Sequence, residues 1–282
     1  MTRPFILSAS VAEASLAVPQ YCAPVLTAAE AAGLDLLIFG RSGTRPFDAQ
    51  VLLPWAAPLT TRIGLVATVP ASNAHPFHVA RALSAIDFLS AGRTGWSVIG
   101  EGAPQGLAED MVLAARALWD GWDSDTLILD KSTGRYLDAS KVRASNYEGP
   151  FFKVAGPLNA MRPPLGHPLL VVDGADPIAI ADADIALFTE EQSSPPATKR
   201  LLKVALDADV AALTARFEAG EIDGVHFTLD VAAAQLPLIG MRFAALVENR
   251  TDIPGDLRAR LGLPIPSTAS NQTGGAVIPE YA

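Results

Sequence analysis

The residues best suited to chemistry gather at the ends of short apolar runs. They are Ser8 and Ser10, Gly40-Arg41-Ser42, Thr68 to Ser72, Ser97 to Glu101, Asp173 to Asp176, Thr189 to Gln192 and Thr228 to Asp230. No nucleophile and base stand out as a pair among them, and they offer too few histidines and carboxylates at fixed spacing for a hydrolytic triad or metal centre. Gly174-Ala175-Asp176-Pro177 could open a helix, and free backbone N–H groups at a helix start suit a phosphate. A carboxylate in the first turn is itself the favoured anion there, so Asp176 reads first as an N-cap. His75 and His78 lie three apart near a helix start and lack a third ligand, which makes them hydrogen-bonded or surface groups. His226 falls inside the last apolar run and reads as a core histidine satisfied by backbone. Arg93 is expected to pair with Asp87 or to cap a helix end, and LWDGW (118–122) to pack into the core.

Eight β-rich runs must position these residues: PFILSA (4–9), DLLIFG (35–40), RIGLVATV (62–69), TGWSVIG (94–100), HPLLVVDG (167–174), ADIALFT (183–189), LLKVALD (201–207) and DGVHFTLD (223–230). They are nearly continuous in apolar residues, the pattern of parallel strands covered on both faces. Between them, helices are expected at 23–32, 49–60, 76–89, 106–122, 208–219 and 232–247, each with apolar positions three and four apart. The sixth helix is the weak unit, because EEQSSPPATK (190–199) is short and holds a proline pair. This alternation predicts an α/β fold, a single (β/α)8 TIM barrel over 1–282, with its site at the carboxyl ends of the strands. Residues 123–166 stand outside the repeat as an excursion with a hairpin at NYEGPFFKV, and 264–282 read as a flexible C-terminal tail.

The net charge is −9, and basic residues are scattered apart from Lys199-Arg200. That argues against a nucleic acid or anionic membrane partner, both of which need a clustered basic face, and for a small-molecule ligand. The lone cysteine, Cys22, has no internal disulfide partner, and the four histidines form no cluster with metal-ligand spacing. With no apolar span of membrane length, the expected location is the cytoplasm.

Several runs together resemble one family. HVARALSAIDFLSAGRTGW (78–96), ALWDGWDSD (117–125), DKSTGRYLDASKV (130–142), EGPFFKVAGPLN (148–159), PPLGHPLLV (163–171), RFEAGEIDGVHF (216–227) and LRARLGLPIP (257–266) are similar to the nitrilotriacetate and dibenzothiophene-sulfone monooxygenase branch of the bacterial-luciferase-like flavin enzymes. The resemblance implies reduced FMN supplied by a separate flavin reductase, oxygenation of a small organic substrate, and a homodimer. It places the cofactor against Thr68, Ser97, Gly174, Ala175 and Asp176. The chain departs from the family pattern where that pattern holds the flavin phosphate. The loop after the fourth strand is shortened to Gly100-Glu101, and a Gly-Ser-Ser cradle is replaced by Gly174-Ala175-Asp176. At about 1.5–3 kcal/mol for each lost hydrogen bond to a charged group, FMN affinity would fall by several powers of ten. Two alternatives follow from this: a non-catalytic flavin or small-ligand barrel that completes a partner, and a site for a flavin without its phosphate or a deazaflavin.

Overall fold

A computed structural model describes residues 3–41, 43–44, 47–176, 178–180, 182–192, 194–247 and 256–266. Eight parallel strands close into a barrel: β1 (Ile6–Val11), β2 (Leu36–Phe39), β3 (Gly64–Pro70), β4 (Thr94–Ile99), β5 (Leu169–Asp173), β6 (Ala183–Phe188), β7 (Ala197–Lys203) and β8 (Gly224–Leu229). Strand β8 pairs with β1 to complete the circle, with Ile6 opposite Gly224 and Ser8 opposite His226. Gly224 is required at that seam, since a Cβ there would lie 2.0 Å from the Ile6 carbonyl oxygen.

Helices α1 (Pro19–Ala31), α2 (Ala49–Ala56), α3 (Pro76–Leu89), α4 (Leu107–Asp120), α5 (Val210–Glu218) and α6 (Ala232–Val247) fall where the apolar spacing places them. Alternate strand residues point to opposite faces, which divides the core in two. Leu7, Phe39, Trp96, Trp119, Phe227 and Phe243 belong to the larger cluster, which takes in the helices. Ile6, Leu36, Ile38, Val66, Leu169, Val171, Ile185, Leu187 and Leu201 form a second cluster inside the barrel. A short further helix, α7 (Leu257–Leu261), joins it with Leu257 and Leu261, followed by Leu263. Arg258 of α7 is buried and grips Asp184 of β6 through both carboxylate oxygens, at 2.6 and 3.0 Å, while also donating to the carbonyls of His167 and Pro264.

The two units after β5 and β6 differ from the others. No helix occurs among the described residues of 174–182 or of 189–196, yet β5, β6 and β7 are parallel. A parallel crossover ordinarily takes a dozen or more residues and a helix. Here a connection without a helix suffices among the described residues, with Gln192 N donating to the Thr189 carbonyl at 3.1 Å in a turn. The weak sixth unit therefore has no helix at all among its described residues, and the expectation that 174–177 opens one is corrected. Asp173 closes that turn instead, its carboxylate accepting from Ala175 N at 2.9 Å and its carbonyl from Asp176 N at 3.0 Å. Strand β7 also begins four residues before the expected 201 and ends at Lys203.

Arg93 caps a helix end: its guanidinium donates to the carbonyls of Ala57, Thr60 and Ile63 and to the Thr60 hydroxyl, all within 3.0 Å. His75 caps α3 through Phe77 N at 3.3 Å. The excursion forms two short antiparallel hairpins, Leu127–Asp130 with Arg135–Leu137 and Tyr147–Glu148 with Lys153–Val154. Buried Asp110 of α4 anchors the second of these by accepting from the backbone N–H groups of Phe151 and Phe152, each at 2.8 Å, and from the Tyr147 hydroxyl. The expected tail is described only as far as 266, and 267–282 lie outside the described residues.

Glu30 of α1 fastens the start of β3. Its carboxylate accepts from Thr61 N, Arg62 N, Ile63 N and the Thr61 hydroxyl at 2.7 to 2.9 Å. Burial works to raise its pKa, and these hydrogen bonds together outweigh burial and hold it below the ordinary glutamate value. A depressed folded-state pKa gives stability that is present above the unfolded value and lost as pH falls through the folded one. Glu30→Gln is therefore expected to cost about 1–2 kcal/mol in urea unfolding at pH 7, with the difference from wild type shrinking as pH drops below about 4.3. A difference that stays constant down to acid pH would refute this.

Candidate active site

The carboxyl ends of the strands open on one cleft, lined by Ser10, Ile38, Gly40, Arg41, Thr68, Ser97, Val98, Ile99, Asp173, Asp176 and Leu187. Its empty space is about 340 Å³ with the part open to solvent included, so the enclosed part is smaller than an ordinary ligand pocket. Gly40 has φ +86°, and a Cβ there would sit 2.1 Å from the Thr68 hydroxyl, so glycine lets β2 end against β3 at the mouth. Thr68, Ser97 and Asp176, three of the five expected cofactor positions, line this cleft together; Gly174 and Ala175 do not.

The polar groups of the mouth are largely engaged with one another. Thr68 donates its hydroxyl to the Phe39 carbonyl at 2.8 Å and so presents only lone pairs to the cleft. Arg41 reaches across to β8, donating to the Leu229 carbonyl at 3.2 Å and to Asp230 at 2.9 Å. Lys203 turns inward to pair with Asp173. Below the mouth, His226 lies between two serines of β1, with Nδ1 2.9 Å from Ser8 Oγ and Nε2 3.3 Å from Ser10 Oγ. Its partners are thus side chains, where backbone had been expected. Burial pushes its pKa down to about 3, helped by the positive charges of Lys203 and Arg41, so the ring is neutral at physiological pH.

The shortened loop after β4 has an occupant. Gly100 N and Glu101 N both donate to one carboxylate oxygen of Asp176, at 2.7 and 3.1 Å. Consecutive N–H groups converging on one oxygen form an anion-binding nest. Glu101 in turn accepts from Gly43 N at 2.7 Å, tying the loop after β2 to the loop after β4. The turn after β5 has no N–H to spare, since Gly174 N donates to the Leu187 carbonyl at 2.7 Å and Ala175 N and Asp176 N are spent on Asp173. A flavin phosphate placed where the family resemblance puts it would meet the Asp176 carboxylate and N–H groups that are already engaged. The residues present do not fit FMN as a whole.

Lys203 is the site residue that sequence alone did not single out. Period-two alternation carried the signal, since Lys203 shares a strand face with Leu201. Among the described residues, no group of three or more His, Cys, Asp or Glu could hold a metal ion, and no helix is long and apolar enough to cross a membrane.

A closed barrel of eight parallel strands with its polar cleft at their carboxyl ends is the architecture of the (β/α)8 enzymes. Residues 4–200 match the luciferase-like monooxygenase family, and the chain belongs to it. A pristinamycin IIA synthase subunit of Streptomyces pristinaespiralis is 34% identical over 253 residues, covering 86% of this chain and 88% of that protein. Dibenzothiophene-sulfone monooxygenase of Rhodococcus erythropolis is 32% identical over 155 residues, covering 49% of this chain but 34% of its own length. The crystal structure of a riboflavin lyase, with modified FMN and riboflavin, superposes with a TM-score of 0.73 at 17% identity, covering 92% of this chain and 95% of that one. The family resemblance and the barrel expected from sequence are both met.

Proposed function

We propose that this chain serves a two-component, reduced-flavin monooxygenase acting on a small organic substrate, and that it does so as a companion barrel in an assembly whose flavin phosphate is held by another chain. The observation that carries this reading is the Asp176 carboxylate seated on Gly100 N and Glu101 N, together with the spent N–H groups of 174–176. The relative matched along most of its length is itself named as one subunit of a synthase, which supports the same role. Val51, Leu59 and Leu89 around α2 and α3 are 73%, 49% and 63% exposed and give a second barrel an apolar face to cover.

A second reading has the chain hold FMN itself, as a homodimer fed by a flavin reductase. The common cleft lined by Ser10, Thr68 and Ser97 favours it, but Asp176 would have to vacate the loop. Titration of the purified chain with FMN, followed by flavin fluorescence, separates the two. The companion role predicts binding no tighter than about millimolar, no product from reduced FMN and oxygen with the chain alone, and co-elution with a longer homologous barrel. Micromolar FMN binding, or turnover by the isolated chain, would establish the second reading instead.

A further inference from the structure

The pair of serines around His226 fixes the direction of a hydrogen-bond chain that ends in the cleft. Ser8 is fully buried, and among the described residues the only partner of its hydroxyl is His226 Nδ1. A buried O–H left without an acceptor costs about 1–3 kcal/mol, so the Ser8 proton lies on the bond to Nδ1. Nδ1 is then the ring's acceptor. A neutral imidazole carries one N–H, which must be on Nε2 and must donate to Ser10 Oγ. Ser10 cannot return its own proton to that nitrogen. Its hydroxyl has no other partner among the described residues, and Ser10 lines the cleft.

The reverse arrangement fails at its far end. Were Ser10 to donate to Nε2, Nδ1–H would donate to Ser8 Oγ, and the buried Ser8 proton would have nowhere to go. Burial also keeps the ring from gaining a second proton, which would make Nδ1–H a donor to Ser8 and strand the Ser8 proton in the same way.

We infer that Ser10 is a specificity-determining residue, a hydroxyl donor held pointing into the cleft by Ser8 and His226, and that it selects a ligand presenting an unprotonated oxygen or nitrogen acceptor, such as a ring carbonyl. The rest of the lining gives this donor weight. Thr68 offers only lone pairs there, Asp173 and Asp176 are acceptors, and Arg41 and Lys203 are engaged in ion pairs. Ser97 shares the cleft, but no described residue fixes its rotor, whereas the Ser10 hydroxyl is fixed from behind. Ser8 and His226 act through Ser10 and touch no ligand, which makes them positioning residues. The inference depends on this geometry alone and stands whether or not the chain is a companion barrel.

Long-range proton–nitrogen NMR on the nitrogen-labelled full chain at pH 7 reads the ring directly. The His226 signals, assigned by their loss in His226→Gln, are expected to show a protonated Nε2 and a bare Nδ1. A protonated Nδ1, a doubly protonated ring or an even mixture of tautomers would overturn the inference. A second measurement tests the ligand class with riboflavin, whose ring bears carbonyls and which has no phosphate. Ser10→Ala is expected to weaken its binding at least about fivefold by fluorescence titration, and Ser10→Thr to retain most of it. Equal affinity in wild type and Ser10→Ala, or no binding to wild type at millimolar riboflavin, would overturn the assignment of a carbonyl-bearing ligand.

Discussion

Replacing Asp176 by glycine is expected to turn the loop after β4 into an anion site and to raise FMN affinity by about tenfold to a thousandfold. Two N–H groups that now hold the Asp176 carboxylate, at 2.7 and 3.1 Å, become free for a phosphate. Each hydrogen bond to a charged acceptor is worth about 1.5–3 kcal/mol, and a repelling carboxylate is removed as well. Riboflavin, which has no phosphate, is expected to bind the variant and wild type alike. Parallel titrations of the two flavins read the difference, and equal gains for both would show that the loop is not what excludes FMN. Asp176→Asn serves as the control: it loses the charge but keeps an oxygen on the nest, so it is expected to gain much less than glycine.

Arg258→Met is expected to destabilise the protein by about 3–5 kcal/mol, the cost of leaving a buried carboxylate without its partner. Asp184 is 8% exposed and receives both Arg258 nitrogens, while the same guanidinium also holds the His167 and Pro264 carbonyls. For a domain of this size the loss corresponds to a fall in melting temperature of roughly 6–20 °C. The double variant Arg258→Met with Asp184→Leu removes the stranded charge and is expected to recover part of it. A single variant within about 1 kcal/mol of wild type in chemical denaturation would mean that the Arg258–Asp184 pair is not what anchors α7 to the barrel.

The strands were legible because they are buried on both faces, which leaves long apolar runs such as LLIF in β2 and ILSASV in β1. Strand β7 hid its beginning for the opposite reason. Thr198 and Arg200 alternate with Lys199, and an apolar scan skips a lysine whose amine is buried 3.6 Å from Asp223. The helix positions of four units and the last two helices followed from their spacing, but α7 is too short to show a period. After β5 the run Gly174-Ala175-Asp176-Pro177 suggested a helix start that the structure does not form, whereas after β6 the proline pair in 190–199 had already marked the weak unit. In the site, Thr68, Ser97 and Asp176 could be placed near one another because they follow successive strands at the same end of the barrel. What each does there depends on a contact between residues distant in sequence. Asp176 meets Gly100 across 76 positions and His226 meets Ser8 across 218, separations that no pattern within a segment records.

The bare crossovers after β5 and β6 give the barrel an uneven wall. Around β1 to β4 each strand is backed by a helix, so exposing it means lifting a cooperative, hydrogen-bonded cylinder off the core. Beside β5 and β6 the covering chain, where described, has no helix, and it can peel residue by residue. Native-state exchange would accordingly start on that flank, and the loop that carries Asp176 belongs to it. The carboxylate that seals the anion nest therefore sits on the flank of the barrel wall that no helix backs among the described residues, a weak seam beside the ligand cleft.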